Sequence, residues 1–247
     1  MSCYEGFASM YDALMADAPY EVWAAYIDGA LGEWFGGSRQ ILVLDLACGT
    51  ANLTLRLAEK GYDLIGVDSS EEMLAEASRK AYEQSKKILF LAQDMRELNL
   101  YGTVDAAISV CDGMNYILTT EELLTVFKRV RLFLNSGGIF IFDMNTEYKF
   151  KELLNNQIFE GTGENDEAYE WQNNYNAQTK INEYRVTFYS LKGGTPFDEI
   201  HQQRAYPPTQ ICKLLREAGF LSVTMRDDYT NNPVTDESAR VVYIAAG

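Results

Sequence analysis

The sequence predicts an α/β fold: a mostly parallel seven-stranded sheet flanked by helices, with an antiparallel edge strand and a small antiparallel β-sheet inserted late in the chain. Three observations predict it. Ile41-Leu42-Val43-Leu44 is an apolar run with β-branched members, the composition of a strand buried on both faces. From there to Asp143, short apolar strands alternate with amphipathic helices, the rhythm of βαβ units. Between about 145 and 205 that rhythm stops, and Gln, Asn and aromatic residues dominate.

Residues 1–38 precede the first strand. Trp23, Tyr26, Ile27, Ala30, Leu31 and Trp34 recur at helical spacing, with Pro19 near the start and Gly36-Gly37 at the end. The first strand breaks at Asp45 and enters Ala47-Cys48-Gly49-Thr50-Ala51, small residues that let backbone approach a ligand. Leu53, Leu55, Leu57 and Ala58 then begin a helix stopped by Gly61. Strand, small-residue turn and helix N-terminus make a nucleotide-cradling unit. Asp63–Asp68 is the second strand. An acid at its end faces the ligand crevice and can accept from both hydroxyls of a ribose, which makes Asp68 a binding candidate. Ser69 and Glu72 form a capping box for the next helix.

Ile88–Ala92 and Val104–Val110 are the third and fourth strands. The fourth runs into Cys111-Asp112-Gly113-Met114-Asn115-Tyr116, and Asp112 stands just past a strand's carboxyl end, where open α/β sheets bind ligands. A helix over Thr119–Leu134 starts with Thr-x-x-Glu, and Gly138–Asp143 is a fifth strand after an Asn-Ser-Gly-Gly turn. Ala168–Tyr175, Lys180–Leu191 and Phe197–Tyr206 read as three antiparallel strands. From Pro207 a helix stopped by Gly219 resumes the core, and Phe220–Met225 with Ala239–Ala245 form a hairpin at the sheet edge. The chain thus divides into a core of residues 1–144 plus 206–247 and an insertion, 145–205.

Composition narrows the function. A net charge of −15 disfavours phosphate-backbone binding, so nucleic acid is not an expected partner. Four separated cysteines and a single histidine give no metal-ligand spacing, so no metal is expected. The N-terminus has no basic segment followed by an apolar run, and no apolar stretch approaches spanning length, which predicts a cytoplasmic protein without membrane association. No Gly-x-Ser-x-Gly nucleophile motif or catalytic acid pair appears, which disfavours hydrolysis. An acid at the second strand's end serves nicotinamide and S-adenosylmethionine (SAM) enzymes alike. A dinucleotide, however, needs a Gly-x-Gly-x-x-Gly turn for its pyrophosphate, and this turn has one glycine; SAM has no phosphate.

Asp45-Leu46-Ala47-Cys48-Gly49-Thr50-Ala51, Val67-Asp68-Ser69-Ser70-Glu71-Glu72-Met73-Leu74 and Ala92-Gln93-Asp94-Met95 resemble, in order and spacing, the cofactor motifs of class I SAM-dependent methyltransferases. The resemblance spans nearly the whole chain and is nearest the small-molecule branch that includes glycine and amino-sugar N-methyltransferases. Ala51 departs from the glycine most members have there. The resemblance implies a Rossmann-like methyltransferase fold and SAM as cofactor. It implies SAM contacts from Asp45, Ala47, Gly49, Asp68, Ser69 and Met73, adenine contacts from Asp94 and Met95, and further contacts from Cys111, Asp112 and Tyr116. It also implies an N-terminal Tyr-Asp segment folded over the site, with Tyr11 near the methionine carboxylate or the transferable methyl and Trp23 beside it. The expected reaction is methyl transfer to a small-molecule amine or hydroxyl, with the insertion as acceptor lid; a macromolecular acceptor and a non-catalytic SAM-binding module are the alternatives. The oligomeric state is not expected from any of these features. His201, the only histidine, shares a strand face with Glu199, whose carboxylate can make it a better base; the competing role is a hydrogen bond between lid and core.

Overall fold

The computed structural model describes residues 8–162, 167–190 and 196–247; Cys3, Phe7 and the Leu191 end of an expected strand lie outside them. Helices α1 (Ala8–Leu14) and α2 (Tyr20–Trp34) precede β1 (Leu42–Leu46), α3 (Asn52–Glu59), β2 (Asp63–Asp68), α4 (Glu71–Glu83) and β3 (Leu89–Ala92). Then come β4 (Val104–Ser109), α5 (Thr120–Phe133) and β5 (Leu134–Asn145). A wide helical turn, Lys149–Leu154, leads to β6 (Ile158–Thr162), β7 (Glu167–Asn176), β8 (Ile181–Ser190) and β9 (Phe197–Arg204). Helix α6 (Pro208–Glu217), β10 (Ser222–Asp227) and β11 (Arg240–Ala246) close the chain.

The seven-stranded sheet runs β10-β11-β5-β4-β1-β2-β3. Strands β1 to β5 are parallel, and β11 pairs antiparallel with both β5 and β10, so the expected hairpin sits at the sheet edge. The period of two sends alternate side chains to two cores. Phe140 and Phe142 pack with Phe127, Tyr243 and Leu215 on one face, whereas Ile139 and Ile141 join Ile27, Leu31 and Val43 on the other. The strand order reverses between β1 and β4, and the crevice at that switch point is where such sheets bind ligands.

Four details correct the sequence reading. Ser70, not Ser69, caps α4: its backbone is extended and its Oγ accepts from the Met73 N–H at 3.2 Å. The Asn-Ser-Gly-Gly segment is not a turn before β5 but a bulge within it, since pairing with β4 jumps from Val104↔Leu134 to Ala106↔Ile139 and Gly137 takes φ +78°. The second sheet has four strands in the order β6-β7-β8-β9, not three. Asp68 is not in an open crevice: it is 9% exposed.

Asn115 ties the second sheet to the first. Fully buried, it donates through Nδ2 to the carbonyls of Asn145 (3.0 Å) and Arg204 (2.8 Å), and its Oδ1 accepts from the Asn145 N–H at 2.8 Å. These are the last residues of β5 and β9, so one side chain holds the point where the chain leaves the large sheet and the point where it returns.

Candidate active site

The turn after β1 is made of left-handed residues. Ala47 (φ +60°), Gly49 (φ +54°) and Ala51 (φ +64°) fold the backbone back so that the Gly49 N–H donates to Asp68 Oδ2 at 2.9 Å. The other Asp68 oxygen accepts from the Ser70 N–H at 2.9 Å. Burial raises the Asp68 carboxyl above the ordinary range, against the opposing pull of the Ser70, Gly49 and Ser69 N–H groups. Ala51 holds a conformation that costs a residue with a Cβ about 1–2 kcal/mol. Its buried methyl, packed with Leu55, Ala77 and Ala81, offsets part of that.

Asp45 lies beneath the turn, 2% exposed, accepting from Thr54 Oγ1 at 2.5 Å. Burial, with the Asp68 charge adding to it, pushes its carboxyl up to about 7 despite the Thr54 hydroxyl. Asp94 caps the short turn Met95–Glu97 and is held below the usual carboxylate range chiefly by Arg96, which also bonds Glu122.

Asp45, Asp68 and Asp94 all border one cavity of about 690 Å³, within the range of small-molecule sites. Tyr11, Trp23, Asp45, Ala47, Gly49, Asp68, Ser69, Met73, Asp94, Met95, Cys111, Asp112 and Tyr116 all line it. His201 is not in that wall. It is 1% exposed, stacked on Tyr184 at 4.7 Å between ring centroids, and within 3.5 Å of the Tyr116 hydroxyl through Nδ1. Desolvation lowers its pKa to about 4, so it is neutral near pH 7.

Helix α1 covers one side of the cavity. Asp12 accepts from Thr50 Oγ1 (2.6 Å) and Asn52 Nδ2 (2.8 Å) and pairs with Lys80, which fastens the helix to the turn and to α4. The small sheet covers another side: Met73 packs against Tyr184, Val186 and Phe188, with Tyr11, Leu14, Tyr169 and Trp171 around them.

Other wall residues went unread in the sequence. Arg240 is half-buried, ion-paired with Asp143, 3.8 Å from Asp112 and 5.0 Å from the Trp23 ring. Gln203 hydrogen-bonds Asp112. Lys149, Asn173 and Asn182 complete the group. Arg240 carried no local signal, because it joins Asp143 from 97 residues away. Lys149 had a faint one, a helical offset of four from the end of a strand.

The wall suits SAM and not a dinucleotide. The turn presents Asp45 and Asp68 and no cation, so a pyrophosphate would face two carboxylates while a sulfonium and an ammonium would not be repelled. Each Asp68 oxygen accepts one backbone N–H and keeps a lone pair for a ribose hydroxyl. Among the described residues there is no cluster of potential metal ligands and no helix long and apolar enough to cross a membrane.

Comparison with known proteins agrees. Residues 43–138 match the family described as "Methyltransferase domain". The chain is 36% identical over 245 residues to methyltransferase YqeM, so named, of Bacillus subtilis (strain 168), covering 98% of this chain and 96% of that one. It is 24% identical to a glycine/sarcosine N-methyltransferase of Aphanothece halophytica, over 98% of this chain and 88% of that protein. The crystal structure of an S-adenosylmethionine-dependent methyltransferase from Clostridium acetobutylicum ATCC 824 superposes with a TM-score of 0.85 at 34% identity, covering 99% of both chains. Motifs, sheet order and relatives over the whole length lead to one assignment: the chain belongs to the class I SAM-dependent methyltransferases.

Proposed function

We propose that the methyl group is transferred to a small molecule, at an amine nitrogen or a hydroxyl. The observation that carries this is the shape of the cavity: core, α1 and the small sheet all contribute to its wall, which makes a cup and not the open face a macromolecule requires. The name of the Aphanothece halophytica relative, whose acceptors are glycine and sarcosine, supports the same reading.

SAM supplies an activated methyl on a sulfonium. The chain's own residues then have three tasks. Asp68 holds a ribose diol, with Asp94 and Met95 beside the adenine and Tyr11 over the methionine end. Residues 145–205 act as the acceptor lid, their aromatic side chains excluding water and aligning the acceptor for in-line displacement. Tyr116 of the core and Tyr184 of the lid, whose hydroxyls touch each other, both line the cavity, and His201 acts as a positioning residue through its stack on Tyr184.

The test is calorimetry of SAM against NAD, followed by transfer from methyl-labelled SAM into a panel of small amines and alcohols, and into protein and RNA. SAM binding with label in small molecules is the expected result. Label confined to the macromolecules, or NAD bound in preference to SAM, overturns the reading.

A further inference from the structure

The small sheet turns one face to the cavity, and carbon on that face is accessible. In the pairing of β6 with β7, Phe159 lies opposite Trp171 and Gly161 opposite Tyr169. Cross-strand partners share a face, as do residues two apart on one strand, so these four form one patch. Phe159, Tyr169, Trp171 and, on β8, Tyr184 all line the cavity. Phe159 is 43% exposed, and Tyr169 and Trp171 are half-buried. Trp171 has its Nε1 inside, so the surface it leaves accessible is ring carbon. The rings follow one another across the sheet: Phe159 meets Trp171 edge-on at 6.3 Å between centroids, and Trp171 meets Tyr184 at 5.1 Å. Leu14 and Leu154 add aliphatic carbon to the same cavity.

Gly161 decides how that patch is shaped. Side chains on a strand stand roughly perpendicular to the sheet. Tyr169 instead leans across β6, because a Cβ built at Gly161 would come within 2.4 Å of its Cζ and Oη. The ring therefore lies along the sheet where it would otherwise rise into the cavity. Charged groups on this side are matched among themselves. Arg240 pairs with Asp143 and lies 3.8 Å from Asp112, and Lys149 stands in the field of the same two carboxylates. Two cations against two anions leave no net charge to receive an ionic acceptor.

We propose that the acceptor is a neutral molecule with a flat apolar ring, held on the patch of Phe159, Trp171 and Tyr169, and that Gly161 is a specificity-determining residue that keeps Tyr169 flat beneath it. This rests on the small-molecule reading above. Ring on ring adds face and edge attraction to the apolar area buried. An ion brought here would lose its water without gaining an unmatched partner.

The probe is p-cresol, a neutral phenol, titrated by ligand-observed NMR into protein saturated with S-adenosylhomocysteine. Saturation is verified first by calorimetry, so a failure to bind S-adenosylhomocysteine counts against the assignment of the cofactor and is read separately. Methylcyclohexanol has the same skeleton without a π face, p-hydroxybenzoate and tyramine are charged phenols, and glycine is a small zwitterion. Wild type is expected to bind p-cresol about threefold or more tightly than methylcyclohexanol, and about tenfold or more tightly than the three charged compounds. Gly161→Ala should weaken p-cresol about fivefold by raising the Tyr169 ring, and should change nothing where Tyr169→Ala is already present. S-adenosylhomocysteine affinity should hold in every variant, which shows each to be folded. Equal binding of p-cresol and methylcyclohexanol, tighter binding of any charged compound, or no detectable binding of p-cresol overturns the acceptor class. A Gly161→Ala effect that is absent, or that persists without the Tyr169 ring, overturns the role of Gly161.

Discussion

At the residue scale the site is a set of carboxylates whose surroundings separate their tasks. Asp68 does two things at once: its oxygens fix the turn through Gly49 and Ser70, and their remaining lone pairs face the cavity. Asp68→Ala would leave two N–H groups unpaired, so Asp68→Asn is the cleaner probe. Loss of a charged acceptor should weaken SAM binding about ten- to hundredfold in calorimetry, from hydrogen bonds worth about 1.5–3 kcal/mol. Unchanged affinity would remove Asp68 from the ribose. Asp45 and His201 make opposite predictions with pH. The Asp45 carboxyl is raised to about 7, so the stability it contributes is present below about pH 4 and is lost as pH rises through 7. Asp45→Asn cannot ionise and should gain on wild type in melting temperature between pH 4 and 8. The His201 imidazole is lowered to about 4, so its contribution is present above about pH 6.5 and is lost as pH falls toward 4. His201→Gln should therefore melt lower than wild type at pH 7, with the gap narrowing toward pH 4. Once an acceptor is in hand, turnover within a few-fold of wild type is expected, and a hundredfold loss with normal SAM affinity would restore the imidazole as base.

At the scale of elements, the join between the two sheets rests on Asn115. Replacing it with Ala removes three hydrogen bonds and strands the carbonyls of Asn145 and Arg204 and the N–H of Asn145. A loss of about 2–4 kcal/mol in urea denaturation is expected, with faster hydrogen exchange at β9 and at the end of β5. A loss under about 0.5 kcal/mol would mean that water replaces the side chain at no cost. Legibility in the sequence also divides by element. The parallel strands were plain because each carries a run of apolar residues, largely buried in β1, β2, β4 and β5 and broken by few polar ones. Strand β6 was missed because Ile158, Phe159 and Glu160 are all exposed at a sheet edge, so no alternation of burial marks it. The helix cap slipped by one residue because Ser69 and Ser70 are adjacent and only backbone dihedrals decide which one caps. The expected cofactor contacts could be named from the sequence since they cluster within short motifs, and they line one cavity; Lys149, Arg240 and the Asn173–Asn182 pair could not, because strand pairing and the return of the chain bring them to that cavity.

At the scale of the molecule, the chain behaves as a cofactor-binding sheet with a second sheet set into it. The two ends of that insertion meet at one side chain, Asn115, so the gap it leaves is short and a few Gly and Ser residues in place of 146–204 can close it at small entropic cost. What the deletion exposes is also limited. Met73 loses Tyr184, Val186 and Phe188, Asp112 loses Gln203, and α1 keeps its anchors to Thr50, Asn52 and Lys80. The truncated protein should therefore still unfold cooperatively and bind SAM, weakened by about tenfold or less because Tyr11 and Leu14 lose the packing that steadies the α1 cover. Methyl transfer should disappear, since the aromatic and amide wall on the acceptor side goes with the insertion. Calorimetry and circular dichroism on the same preparation separate the outcomes. A folded variant that no longer binds SAM would make the small sheet part of the cofactor site, and a folded variant that still methylates would move the acceptor site onto the core.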